Sequence, residues 1–198
     1  MMDKRKQLPK VVLVVGHAKE SKGAYNAKHN VAEFDFNQKL ALGIKYNALT
    51  LGATPPYEVA IFYRENGYGP LPFEVNEHHP DADMVISLHA NAFNGHASGC
   101  ETLYHHQSEL SRGYAEIFQT HLVATIGNKD RGLKPKTSED RGGHLLAEVD
   151  APCILVEPFF IDNIEETERA LDLLHSGDLA EAFDKAIVDC LEQFSYNK

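Results

Sequence analysis

Three short apolar runs constrain this chain more than any other feature of it. They are Val11–Val15, Met84–Leu88 and Ile154–Val156. Each is too short for a helix and is apolar at nearly every position rather than at alternate ones. That is the pattern of a strand covered on both faces. Helix-like segments lie between the runs, and this alternation favours a layered α/β domain.

The intervening residues fill in the layers. Phe36, Leu40 and Ile44 recur every fourth residue, which predicts an amphipathic helix over 33–51, stopped at Gly52 with Pro55 beyond. Tyr57, Val59, Ile61 and Tyr63 alternate as in a strand, and Thr102–Tyr104 reads as a short one. Residues 108–126 read as a helix with Leu110, Tyr114, Ile117 and Leu122 inward. Two more helices are expected over 163–174 and 178–194, the second carrying Leu179, Phe183, Ile187 and Leu191 at four-residue steps. Segment 91–99 has loop composition, and the Gly-, Lys-, Asp- and Arg-rich segment 127–144 reads as a long loop or an edge strand.

Composition excludes several classes. At 198 residues the chain suits a single domain, 1–198 with a core of about 11–195. A formal net charge of −10 argues against nucleic acid, which needs a basic footprint. No apolar run approaches the roughly 20 residues of a bilayer span, so no membrane insertion is expected. No small-residue cleavage site follows the basic Lys4, Arg5 and Lys6, so cytoplasmic synthesis without a signal peptide is expected. Cys100, Cys153 and Cys190 are widely spaced and form no C-x-x-C pair, and Cys100 and Cys153, in apolar strand-like runs, are expected in the core.

Chemistry is concentrated where the apolar runs end. His17 follows the first run after Gly16, His89 follows the second, and Glu157 follows the third. In open α/β sheets ligands bind beyond the carboxyl ends of strands. The three residues would meet in one crevice if their strands are parallel neighbours. Two histidines and a carboxylate suit a catalytic zinc site with one position left for water, and a further carboxylate would serve as base. Glu20, in an H-x-x-E spacing with His17, and Glu33, at the start of the first helix, both compete with Glu157 for these roles, and spacing alone does not choose. Asn91 either hydrogen-bonds a substrate or braces its loop. His144 could reach a substrate from a Gly-rich loop. Glu101, Arg131 and Arg141 read as solvated charge, with substrate contact as the alternative for each. His78, His79, His105, His106 and His121 are expected at the surface.

The order Gly16-His17, Glu33 opening a helix, Ser87-Leu88-His89-Ala90-Asn91-Ala92, Gly99-Cys100-Glu101, Val156-Glu157 and Phe160-Ile161-Asp162-Asn163 resembles the zinc-dependent N-acetylmuramoyl-L-alanine amidases of the amidase-3 type. Arg64 and Ala82-Asp83 fit the same pattern. Ala18-Lys19 and Pro158-Phe159-Phe160 depart from its commoner residues. The resemblance implies a single α/β domain whose central sheet is mixed, mostly parallel and flanked by helices on both faces. It implies one Zn2+ held by His17, Glu33 and His89, with Glu157 as catalytic acid/base. The reaction implied is hydrolysis of the amide joining N-acetylmuramic acid to L-alanine in peptidoglycan. With no separate wall-binding domain and no export signal, the chain is similar to a phage or prophage endolysin, expected as a monomer released to the cell wall. Two alternatives accompany this reading: a carboxypeptidase-like metallo-amidohydrolase using His17 and Glu20, and a non-catalytic peptidoglycan-binding module.

Overall fold

The computed structural model describes residues 8–50 and 56–194. Five strands follow the apolar and alternating runs: β1 (Lys10–Val15), β4 (Glu58–Tyr63), β5 (Met84–Leu88), β6 (Cys100–His105) and β8 (Cys153–Glu157). A short hairpin, β2 (Tyr25–Asn26) and β3 (Val31–Ala32), leads into helix α1 (Glu33–Thr50). The remaining elements are α2 (Leu71–His78), α3 (Glu109–Ile126), β7 (Asp130–Lys136), α4 (Gly143–Glu148), α5 (Ile164–Ser176) and α6 (Asp178–Phe194). Among the described residues one six-stranded sheet has the order β4-β1-β5-β8-β6-β7. All neighbours are parallel except β6 and β8.

The apolar runs divide their side chains between two cores. Val11, Leu13 and Val15 of β1, Met84, Ile86 and Leu88 of β5, and Ile154 and Val156 of β8 pack with α1, α3, α5 and α6. Val12, Val14, Val85, Cys153 and Leu155 face the other way, under α2 and α4. A strand covered on both sides has no polar face, which is why these segments read as continuous rather than alternating.

Helix ends follow local chemistry. Ser108 caps α3 by accepting from Ser111 N, and Gly127 ends it in the left-handed region. Asn163 caps α5 through Glu165 N and Glu166 N. Of the two expectations for the segment after α3, a long loop or an edge strand, residues 130–136 take the second: they pair parallel with β6, with one register shift between Cys100 and Thr102, and form the edge strand β7. Within α3, Phe118 is fully buried while Leu110 and Ile117 are only half-buried, so the inner face is rotated from the one expected. The short helices α2 and α4 were not evident in the sequence, because neither has a full period of apolar positions. Gly52 and Pro55 lie outside the described residues.

All three cysteines are buried, Cys100 in β6, Cys153 in β8 and Cys190 in α6, and burial pushes each thiol's pKa up. One further buried polar contact joins two elements: the Tyr57 hydroxyl donates to Asp184 on α6. Burial raises the Asp184 carboxyl to about 6, although hydrogen bonds from Tyr57 and Asn47 oppose the shift. A carboxyl whose folded pKa exceeds its unfolded value destabilises the fold as pH rises from the unfolded value through the folded one. Asp184→Asn keeps an acceptor for Tyr57 and removes that charge. It should melt higher than wild type at pH 8 and at the same temperature at pH 4, each kcal/mol relieved raising Tm by about 2–4 °C in a chain of this size. Paired thermal melts at the two pH values check this.

Candidate metal centre

The chain leaves β1 toward β4 at one edge and returns to β5 on the other side of β1. The first connection runs through α1 and the second through α2, which cover opposite faces of the sheet. Between β1 and β5 the connections therefore diverge and open a crevice at the strand ends, the usual place for a ligand in such a sheet. His17 stands one residue past Gly16 at the end of β1, and His89 is the first residue past β5. Glu157 ends β8, the next strand over.

Backbone chemistry forces the two histidines together. Gly16 N donates to Leu88 O at 2.9 Å. A Cβ at Gly16 would lie 2.4 Å from that oxygen and 2.7 Å from the His89 ring, so only glycine permits the approach. His17 then turns through the left-handed region at φ 66°, a conformation that costs a non-glycine residue roughly 1–3 kcal/mol. The ring centroids of His17 and His89 end 5.4 Å apart, edge to face.

Glu33 enters the same space from the first turn of α1. The β2–β3 hairpin delivers it. Asn26 anchors that hairpin by donating to Ile161 O at 2.8 Å, while its Oδ1 accepts from Lys28 N and His29 N. The Glu33 carboxylate bridges the imidazoles: Oε2 lies 3.0 Å from His17 Nε2 and Oε1 lies 2.9 Å from His89 Nδ1. Ala90 N also donates to Oε1 at 3.0 Å. The side chain is only 4% exposed. Burial alone would raise its pKa, but the hydrogen bonds and charge of His17 and His89 outweigh burial and hold Glu33 at about 2. The positive end of the α1 dipole favours the same ionised form.

The donor atoms of His17, Glu33 and His89 all lie within 4.8 Å of one another, a span that one small cation can gather. Two imidazole nitrogens and one carboxylate oxygen form the donor set of open catalytic zinc sites. The cradle around them is tight. A Cβ at Gly23, itself at φ 78°, would meet Glu33 Oε2 and His17 Cδ2 at 2.6 Å. The residues therefore fit a metal ion. Glu20 is exposed beside the Ala18–Ser21 bridge and takes no part in this cluster.

Glu157 is half-buried. Burial first, then the charge and hydrogen bond of Glu101 and the charge of Glu33, push its pKa to about 8, while Arg141 pulls the other way. Asn91 lies in the crevice wall. Its Nδ2 donates to Glu101 Oε1 at 2.9 Å and its Oδ1 accepts from Ala92 N at 2.9 Å. Its backbone bridges to Phe160.

The expected surface positions separate into distinct environments. His144 opens α4, where its Nε2 lies 3.0 Å from Gly69 O between Tyr68 and Phe73. His121 pairs with Asp189 of α6 at 2.7 Å. His78 ends α2 and His79 follows it as the cap, and both rings meet Phe62. The His105 and His106 rings stack edgewise at the end of β6. Glu101 and Arg131 do not behave as solvated charge: Arg131 Nε donates to Glu101 Oε2 at 2.6 Å. Sequence reasoning missed this pair. Strand β6 is antiparallel to β8, so its beginning rather than its end reaches the crevice.

Comparison with known proteins agrees with this architecture. Residues 11–192 match the family model described as N-acetylmuramoyl-L-alanine amidase. The chain is 27% identical over 178 residues to N-acetylmuramoyl-L-alanine amidase LytC of Bacillus subtilis, covering 87% of this chain and 34% of that one. It is 31% identical over 123 residues to an uncharacterized cell wall amidase of Bacillus anthracis, covering 58% and 22%. The chain thus spans only about a fifth to a third of the length of these two relatives. Among solved structures, an N-acetylmuramoyl-L-alanine amidase from Clostridium difficile 630 superposes with a TM-score of 0.80 at 23% identity, covering 96% of this chain and all of that one. The catalytic domain of the CD27L endolysin, which targets Clostridia difficile, gives 0.72 at 26% identity, covering 91% and 97%.

Loss of one donor should be felt in metal affinity. In chelator-stripped protein, Glu33→Gln is expected to weaken zinc binding by more than the roughly 10–100-fold that removal of an outer hydrogen-bond partner costs. Glu20→Gln should leave it unchanged. Competition titration against a chromophoric chelator measures both.

Proposed function

The chain belongs to the N-acetylmuramoyl-L-alanine amidase family, and we propose on that footing that it hydrolyses the amide between N-acetylmuramic acid and the L-alanine of the peptidoglycan stem peptide. One observation supports this best. His17, Glu33 and His89 converge at the sheet's diverging connections, with Glu157 at the end of the adjacent strand. The catalytic unit in this reading is the domain of about residues 11–195. Its partner is the bacterial cell wall. Among the described residues no helix is long and apolar enough to cross a membrane.

In this reading His17, Glu33 and His89 would hold one zinc ion, and that ion would supply Lewis acidity toward the scissile carbonyl and an attacking water. Glu33 supplies the negative charge of the ligand set and fixes both rings through its two oxygens. Glu157 acts as acid and base. It takes a proton from the attacking water and returns one to the alanine nitrogen as the carbon–nitrogen bond breaks. The products are a free lactyl carboxylate and a peptide with a new N-terminal alanine. The raised pKa of Glu157 suits both halves of this exchange, since a proton carrier works best when its pKa lies near the working pH. Asn91 borders the substrate from the wall, its amide already ordered by Glu101 and Ala92. The similar fold of an endolysin catalytic domain supports a wall-lytic role.

Purified peptidoglycan should release peptides with N-terminal alanine when treated with the zinc-loaded protein. Glu157→Gln should keep its zinc and lose about 10²–10⁴-fold in kcat. Amino-terminal labelling of the digest, with metal analysis of both proteins, checks this. A wild-type protein that sediments with walls and exposes no new N-terminal alanine would instead be a binding module.

A further inference from the structure

A second carboxylate reaches the crevice at the start of β6. The register of β6 against β8 sets Glu101 directly across from Glu157. Side chains so paired share one face of the sheet. Both oxygens of Glu101 are held, Oε1 by Asn91 Nδ2 at 2.9 Å and Oε2 by Arg131 Nε at 2.6 Å. Arg131 is itself fixed on β7. Its guanidinium carbon lies 4.9 Å from the centroid of the Phe160 ring, and its Nη1 donates to Ser98 O at 3.5 Å. The stem of Arg131 passes against the bare α-carbon of Gly99, where a Cβ would lie 2.7 Å from its Cγ. The Glu101 side chain is only 12% exposed. A carboxylate held this way from two other elements has no freedom to behave as surface charge.

We propose that Glu101 is a positioning residue for the hydrolysis: it accepts the hydrogen bond of the Glu157 carboxyl and fixes the orientation that Glu157 presents to the crevice, while Arg131 and Asn91 hold Glu101 in place. This rests on the reading of Glu157 as acid and base. Two adjoining carboxyls share one proton, because ionising both sets like charges side by side. The countercharge of Arg131 sits on Glu101, so the shared proton is carried by Glu157. The other charged groups around the pair are Glu33 on α1, which favours the proton, and Arg141 before α4, which opposes it. A fixed Glu101 gives Glu157 one geometry for both proton transfers.

The test uses zinc-loaded wild type, Glu101→Gln, Glu101→Asp and Arg131→Met, with the appearance of peptides bearing N-terminal alanine from peptidoglycan followed across pH. Glu101→Gln should retain zinc and the wild-type KM while kcat falls about 10–100-fold, as slight misplacement of a reacting group does. Its acid limb should move to lower pH, since the charge that held the proton on Glu157 is gone. Arg131→Met should move the same limb to higher pH. Opposite displacements support the proposal. A fall in kcat with unmoved limbs, a rise in KM with kcat intact, or displacements of one sign overturns it. Should Glu101→Gln melt early, the Arg131→Met limb and a return of the wild-type limb in Glu101→Asp decide the matter. Full activity in Glu157→Gln would overturn the acid/base assignment itself, whereas unmoved limbs beside an inactive Glu157→Gln overturn only the role of Glu101.

Discussion

The buried carboxylate of Glu33 sets the terms for everything around it. A charge removed from water costs several kcal/mol unless partners surround it. Here those partners come from three places at once: His17 past β1, His89 and the backbone of Ala90 past β5, and the backbone of Ala24 before the β2–β3 hairpin. No local segment could supply them. The central strands must lie side by side, α1 must begin where they end, and the glycines at 16 and 23 must leave room for the rings. A metal ion would take over the role that the two imidazoles now share, and it needs the same convergence.

The far wall of the crevice is built on a different logic. Four strands run in one direction and present their ends to the site, whereas β6 runs against β8 and presents its beginning. That reversal brings Glu101 beside Glu157 and, through the parallel edge strand β7, brings Arg131 behind it. Phe159 and Phe160 are both buried, and the Phe160 ring is the platform beneath Arg131.

The central sheet was legible because strands covered on both faces leave a continuous apolar signature, as in Val11–Val15 and Met84–Leu88. The positions of His17, His89 and Glu157 were legible for the same reason, each marking a run's end. The choice between Glu33 and Glu20 was not open to spacing. It depends on a hairpin, anchored by Asn26 to Ile161, that folds the chain back so that the helix start faces β1. Arg131 and Glu101 were read as solvent-facing because a sequence shows charge but not strand direction. The short helices α2 and α4 escaped notice because too few turns exist in either to establish a period.

The three thiols lie in elements that carry the core, and burial keeps each of them protonated. A protonated, enclosed thiol is neither a ready nucleophile nor a ready metal ligand. The fold therefore depends on no covalent crosslink, and its three thiols are closed to oxidants. Its integrity is indifferent to the redox potential of its surroundings, and a soft cation entering the crevice finds nitrogen and oxygen donors without a competing thiolate.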